Sequence, residues 1–258
     1  LFDLFVECSI ASDEKYVFNS YQQTEFFRCN KDDLIKTLPS LLFPCDTSKI
    51  PDSPISHYFI LTAGDGTRYY CCSIIFGTKE KELMSIALAS SLQFYQTTKD
   101  VLTILYRKHP YEREIAKFLL KQIPMPPPGL TAVRFILDNN EFYVSRSPPN
   151  QLPMIDLPFW LPFALFSAEK LIIVVVSMMV EKRIVVSSTY HAAIAPFIES
   201  LLILMYPLEC YSIYIPYIDS KLQTILESPF PYIIGVDPKI ISLDNLEPDI
   251  LVVDLDTS

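Results

Sequence analysis

Hydrophobic and polar positions change rhythm along the chain. The opening "LFDLFVEC" alternates apolar residues with the two-residue period of a strand, and "YVFNSY" gives a second strand. In "FILTAGDGTRYYCCSIIF" two apolar runs flank Gly64-Asp65-Gly66. Asp-Gly suits a tight turn with positive φ, so this segment predicts a hairpin. "ELMSIALAS" at 82–90 supplies another strand. The period then changes: "FYQTTKDVLTILYRK" has apolar residues at 94, 101, 102, 105 and 106, one face of a helix, and "EREIAKFLLKQ" predicts a further helix. This part of the chain reads as an antiparallel sheet with helices.

"IPMPPPGLT" interrupts the pattern with four prolines and a glycine between 124 and 129. Such a stretch is stiff and pairs poorly, so it predicts an interdomain linker. The expected organisation is an N-terminal lobe at 1–123, a linker at 124–130 and a second lobe at 131–258. The second lobe starts with a hairpin, "AVRFIL" and "EFYVSR", around Asp138-Asn139-Asn140, followed by the proline-punctuated connector "SPPNQLPMIDLPFWLP". From 163 the elements alternate: helix, strand "RIVVSS", helix "YHAAIAPFIESLLILMYP", strand "CYSIYIP", helix "SKLQTILES", strand "YIIGV" and strand "ILVVDLD". Alternation of this kind predicts a mostly parallel sheet covered on both faces. The fold class is therefore α/β in two lobes. In "SPFPYIIGV", Pro229 and Pro231 stiffen the entry to a buried strand, and Gly235 marks its exit.

"LIIVVVSMMV" at 171–180 is apolar throughout, but only ten residues separate Lys170 from Glu181. A membrane span needs about 20, so this is a core element and no transmembrane segment is expected. Its β-branched residues favour a strand, while Ser167 can cap a helix from Ala168 through Met179. Half of the 258 residues are hydrophobic and 13% are aromatic, enough for sizeable cores. The formal charge of −9 argues against nucleic acid as a partner, because phosphate binding rests on Lys and Arg. The six cysteines, at 8, 29, 45, 71, 72 and 210, form no C-x-x-C pair, which points to reduced thiols. Cys71 and Cys72 take opposite faces if they lie on a strand. The sequence opens inside a strand-like pattern without an initiating Met, and it reads as a trimmed piece of a longer chain.

Site chemistry is sparse. The G-x-G at 64–66 sits between strands and lacks the third glycine of a dinucleotide fingerprint. No phosphate-loop pattern and no G-x-S-x-G elbow occur. His57, His109 and His191 stand outside any zinc-like spacing, and His191, at a helix start, reads as structural or surface. Asp254 and Asp256 fall on one strand face and can mimic a metal-binding pair. The simpler reading puts them at a strand end, facing solvent or a helix N-terminus. No cofactor is expected.

Four separated stretches, in order, carry a resemblance: "SPPNQLPMIDLPFWLPFALFSAEKLIIVVVSMMVEKRIVVSSTY", "MYPLECYSIYIPYI", "SPFPYIIGVD" and "ILVVDLDT". They are similar to the DENN domain family, strongly from about 124 to 257 and more weakly upstream. The resemblance implies an N-terminal longin-like lobe and a C-terminal doubly wound α/β lobe. It also implies guanine-nucleotide exchange on a Rab-family GTPase, whose switch regions are gripped between the lobes and whose nucleotide-free state is stabilised. No covalent chemistry is expected. The family continues past the equivalent of Ser258 into a helical portion, where part of the exchange activity can reside. The alternative is a non-catalytic scaffold that pairs with another longin-type protein in a membrane-trafficking complex. A cytoplasmic location follows, with peripheral recruitment to endosomal or Golgi-derived vesicles through regions outside this chain.

In open α/β sheets functional contacts gather beyond the carboxyl ends of the strands. Those ends lead here into Ser188-Thr189-Tyr190, Pro216-Tyr217-Ile218-Asp219 and Asp237-Pro238-Lys239. The candidate partner-binding residues are accordingly Ser188, Tyr190, Pro216, Tyr217, Asp219, Asp237 and Lys239. Tyr190 and Tyr217 are aromatic anchors, and Asp219 and Lys239 set charge complementarity.

Overall fold

The computed structural model describes residues 1–10, 15–44, 50–78, 82–110, 113–129, 131–218, 220–243 and 246–257. The chain divides into two compact units, Leu1–Asp156 and Leu157–Ser258.

The first unit is built on a five-stranded antiparallel sheet. Its strands are β1 (Leu4–Ile10), β2 (Tyr16–Gln23), β3 (Ile55–Thr62), β4 (Arg68–Gly77) and β5 (Leu83–Ser90), in the order β2-β1-β5-β4-β3. The expected hairpin joins β3 to β4. Gly66 takes φ +85° in its turn, and the Asp65 carboxylate accepts from Thr67 N at 3.0 Å. Every residue of the central strand β5 is buried. One face of the sheet carries α1 (Lys31–Leu42), whose Leu34, Leu38 and Leu42 join Leu4, Val6, Phe59 and Cys71 in one cluster. Cys72 takes the opposite face, towards Lys99 of α2 (Tyr95–Arg107). Burial pushes the Cys8 thiol up to about 12 and raises the Cys71 and Cys72 thiols as well. None of the five described cysteines is in a disulfide; Cys45 lies outside the described residues. Helix α3 (Arg113–Lys121) follows where its apolar period predicts it.

The hairpin β6 (Val133–Leu137) and β7 (Asn140–Val144) turns through Asp138 and Asn139, both at positive φ. The division between the units lies downstream of the proline-rich stretch taken as the linker. Two contacts explain why 131–156 goes with the first unit. Pro128 bridges to Arg146, with Gly129 N donating to Arg146 O at 2.9 Å. Asp156 then accepts from Gln96 N at 3.0 Å and Thr97 N at 2.7 Å. Phe94 gives α2 no side-chain cap, so this distant carboxylate satisfies the exposed donors of the first turn. Burial outweighs those bonds and holds the Asp156 pKa above its ordinary value.

The second unit opens with α4 (Leu161–Leu165) and α5 (Ala168–Met179). The apolar run is thus a helix, with Ser167 at its N-cap facing Lys170 N at 3.5 Å. A four-stranded parallel sheet follows, made of β8 (Ile184–Ser187), β9 (Ile213–Ile218), β10 (Tyr232–Val236) and β11 (Leu251–Asp254), in the order β11-β8-β10-β9. Helix α6 (His191–Leu204) carries the chain from β8 to β9 on one face. The return from β9 to β10 packs on the other face, where Leu226 meets Tyr232, Ile234 and Val236. That return, expected as a helix, takes the 3-10 form over Ser220–Glu227. Its Leu222 and Ile225 stand three residues apart, one full turn at this period, and both pack against the sheet. Among the described residues no helix is long and apolar enough to cross a membrane.

Gly235 faces α6. A Cβ there would lie 2.0 Å from Pro216 O and 2.5 Å from Ile194 Cγ2. The β9–β10 register shifts at this point: Ile234 pairs with Ile215 and Val236 with Ile218. Pro216 has no N–H for the ladder, so the shift accommodates it, and its carbonyl closes on the glycine. Close approach of backbone, without positive φ, is what requires glycine here.

Candidate partner-binding site

The carboxyl ends of the parallel strands are tied together by carboxylates. Asp256, just past β11, accepts from Ser188 Oγ and from Thr189 N, both at 2.8 Å. Ser188 Oγ in turn accepts from Tyr190 N at 3.0 Å, which fixes the entry to α6. Asp254 accepts from Ser187 Oγ at 3.3 Å, and from Asp256 N at 3.1 Å. The Thr189 N–H and the Ser188 hydroxyl hold the Asp256 carboxyl below the usual range, with Lys239 adding a favourable field. The loop after β8 is therefore fastened to the strand end beyond β11.

A second tie joins β10 to α6. Asp237 Oδ2 lies 2.7 Å from His191 Nε2, and Asp237 Oδ1 accepts from Lys239 N at 2.8 Å. The His191 ring sits against the Tyr217 ring, with centroids 4.4 Å apart. Asp237 is 6% exposed and Tyr217 7%, so both are set into the site rather than presented by it.

The predicted residues thus separate by role. Ser188, Asp237 and Tyr217 are buried and shape the loops, while Tyr190 is 75% exposed and Lys239 is also exposed. Pro216 and Tyr217, expected in a loop, belong to β9, because the register shift carries that strand two residues beyond the proline. Asp219 lies outside the described residues. Two further members, Asp256 and His191, lie outside the predicted partner-binding set, and both fit their simpler sequence readings: a strand-end carboxylate facing a helix N-terminus and a structural histidine. The strand-end D-x-D spacing was the available signal for the first, whose partner is the α6 entry. His191 is a structural tether. Among the described residues no group of three or more His, Cys, Asp or Glu is placed to hold a metal ion.

What these loops offer is a preformed surface: backbone fixed by buried or shared hydrogen bonds, with the Tyr190 and Lys239 side chains standing out among the described residues. Comparison with known proteins gives it a context. The profile of the DENN (AEX-3) domain matches residues 81–258, and that of the uDENN domain matches 24–76. The chain is 23% identical over 225 residues to the DENN domain and WD repeat-containing protein SCD1 of Arabidopsis thaliana, covering 79% of this chain and 19% of that one. It is 27% identical over 183 residues to the MAP kinase-activating death domain protein of Caenorhabditis elegans, covering 62% and 13%. An elicitor of plant defense protein 1 from Fusarium odoratissimum is 29% identical over 153 residues, covering 58% and 16%. The chain spans less than a fifth of the length of each of these relatives.

Proposed function

We propose that this chain, which belongs to the DENN family, is a guanine-nucleotide exchange module for a Rab-family small GTPase. The observation that carries the proposal is the match to both DENN profiles, which takes in residues 24–76 and 81–258. The braced loops at the carboxyl end of the parallel sheet support it. An exchange factor must bind the empty GTPase more tightly than the loaded one; linkage then requires that it weaken nucleotide binding by the same factor. A rigid surface suits that task, because less freedom is lost on docking. In this reading Tyr190 and Lys239 contact the GTPase, Ser188, Asp237, Pro216 and Tyr217 hold those contacts in place, and Asp219 contributes to charge complementarity. The chain works at the cytoplasmic face of trafficking membranes, recruited there peripherally.

The test is release of labelled GDP across a panel of Rab proteins. One or more should release nucleotide faster with the chain present and should be retained better empty than loaded. Tyr190→Ala and Lys239→Ala should each slow exchange by about tenfold while leaving the melting temperature unchanged. A chain that accelerates no Rab yet captures a longin-type protein is the scaffold instead.

A further inference from the structure

The opposite end of the same sheet carries a second surface. Four strand-entry loops meet there: Glu181-Lys182-Arg183 before β8, Tyr211-Ser212 before β9, Pro229-Phe230-Pro231 before β10 and Pro248-Asp249-Ile250 before β11. They line two open grooves of about 430 and 310 Å³, which share Glu181 and Pro231. The loops are fixed. Arg183 donates to Glu247, to both oxygens of Asp249 at 2.7 Å and to Ser228 O at 3.3 Å. Ile213 N donates to Pro231 O, and Leu251 N to Arg183 O, both at 3.0 Å.

Two large rings nevertheless stand in water beside these grooves: Tyr211 is 77% exposed and Phe230 65%. Tyr211 is steadied by its hydroxyl, which donates to Glu209 Oε2 at 2.8 Å. The charge of these loops and of the residues that brace them is unbalanced. Glu181, Glu209, Glu247 and Asp249 are four carboxylates against two cations, Lys182 and Arg183, and Arg183 is already committed to Glu247 and Asp249. Proline-stiffened walls, exposed rings and surplus negative charge make a surface complementary to an extended, cationic chain. A guanidinium stacks on an aromatic face and pairs with a carboxylate at the same time, which an ammonium does less well.

We propose that the amino end of the parallel sheet docks an extended, arginine-bearing segment of a partner protein across Tyr211 and Phe230. This surface is separate from the loops assigned to the GTPase, and its test does not depend on exchange. The probe is a fluorescein-labelled ten-residue peptide of alternating arginine and proline, followed by anisotropy with the whole chain at physiological salt. Alternating lysine-proline and glutamate-proline peptides serve as comparisons. The arginine peptide should bind most tightly, the lysine peptide more weakly, and the glutamate peptide not at all. The double variant Tyr211→Ala/Phe230→Ala, which keeps the net charge, should weaken the arginine peptide by about tenfold with an unchanged melting temperature. Equal binding to the variant would mean that overall negative charge alone attracts the peptide, and would overturn the proposal. So would absence of binding by the arginine peptide.

Discussion

The two ends of the parallel sheet are fastened by opposite means. At the carboxyl end Asp256 accepts from neutral donors, the Thr189 N–H and the Ser188 hydroxyl. At the amino end Arg183 gathers two carboxylates and a carbonyl around one full charge. The first device is directional: it fixes a backbone course and leaves Tyr190 free to project. The second is a charge hub, held by Coulomb attraction in a setting where Glu247 and Asp249 are largely exposed. One sheet can therefore carry a surface of set shape at one end and a surface tuned by charge at the other.

The most damaging way to break this contrast is to remove what both ends share. Gly235→Val puts a side chain where Pro216 O and Ile194 already stand, and the backbone oxygen cannot turn away as a flexible side chain would. We expect a loss of about 3 kcal/mol, read by denaturant unfolding, and both ends should loosen together. An unchanged midpoint would show that β9 and α6 move aside freely.

Asp256→Asn separates the ends. An amide retains one acceptor but loses the charge that holds the Thr189 N–H and Ser188 hydroxyl. Exchange should fall by about fivefold, with arginine-peptide binding at the other end unaltered.

Acid should act on both ends alike. Asp249 and Asp256 are each held below the ordinary value of 3.8, by Arg183 and by the Thr189 N–H respectively. A carboxyl with a depressed folded pKa contributes its full stabilisation above the unfolded value and loses it as pH falls through the folded one. The melting temperature should accordingly be insensitive to both groups above pH of about 4 and decline below it. A decline already complete at higher pH would assign the transition to other groups.

Salt gives the smallest and most selective effect. At about 1 M salt the screening length shrinks to about 3 Å, which weakens the Arg183 hub more than bonds to neutral donors. Amide exchange at Leu251, beside Arg183, should quicken, while that at Thr189 should stay the same.

Much of this architecture is legible in local pattern. The β3–β4 hairpin follows from Asp65-Gly66, the β6–β7 turn from Asp138-Asn139-Asn140, and the parallel sheet from apolar strands separated by helices. Helix α1 is not legible in the same way, because Pro39 and the polar opening Lys31-Asp32-Asp33 mask the buried row Leu34, Leu38 and Leu42. The course of β9 depends on a register shift that only its neighbour β10 defines, so Pro216 reads as an exit when it lies inside the strand. In the candidate site, exposure of Tyr190 and Lys239 suits their residue types. Burial of Tyr217 under His191 does not follow from either residue alone. Division at 156/157 likewise rests on Asp156 reaching back about 60 residues to the first turn of α2.

The Asp256 fastening also has a place in time. Ser188 and Asp256 are 68 residues apart, so the ribosome delivers the loop well before the carboxylate that secures it. At about 5–20 residues per second, several seconds of synthesis separate the two. During that interval β8 has no β11 beside it, and the Thr189 amide has no acceptor at Asp256. The surface that displays Tyr190 is thus completed only once β11 has been made, and a nascent chain halted before β11 would present the same residues without their final form.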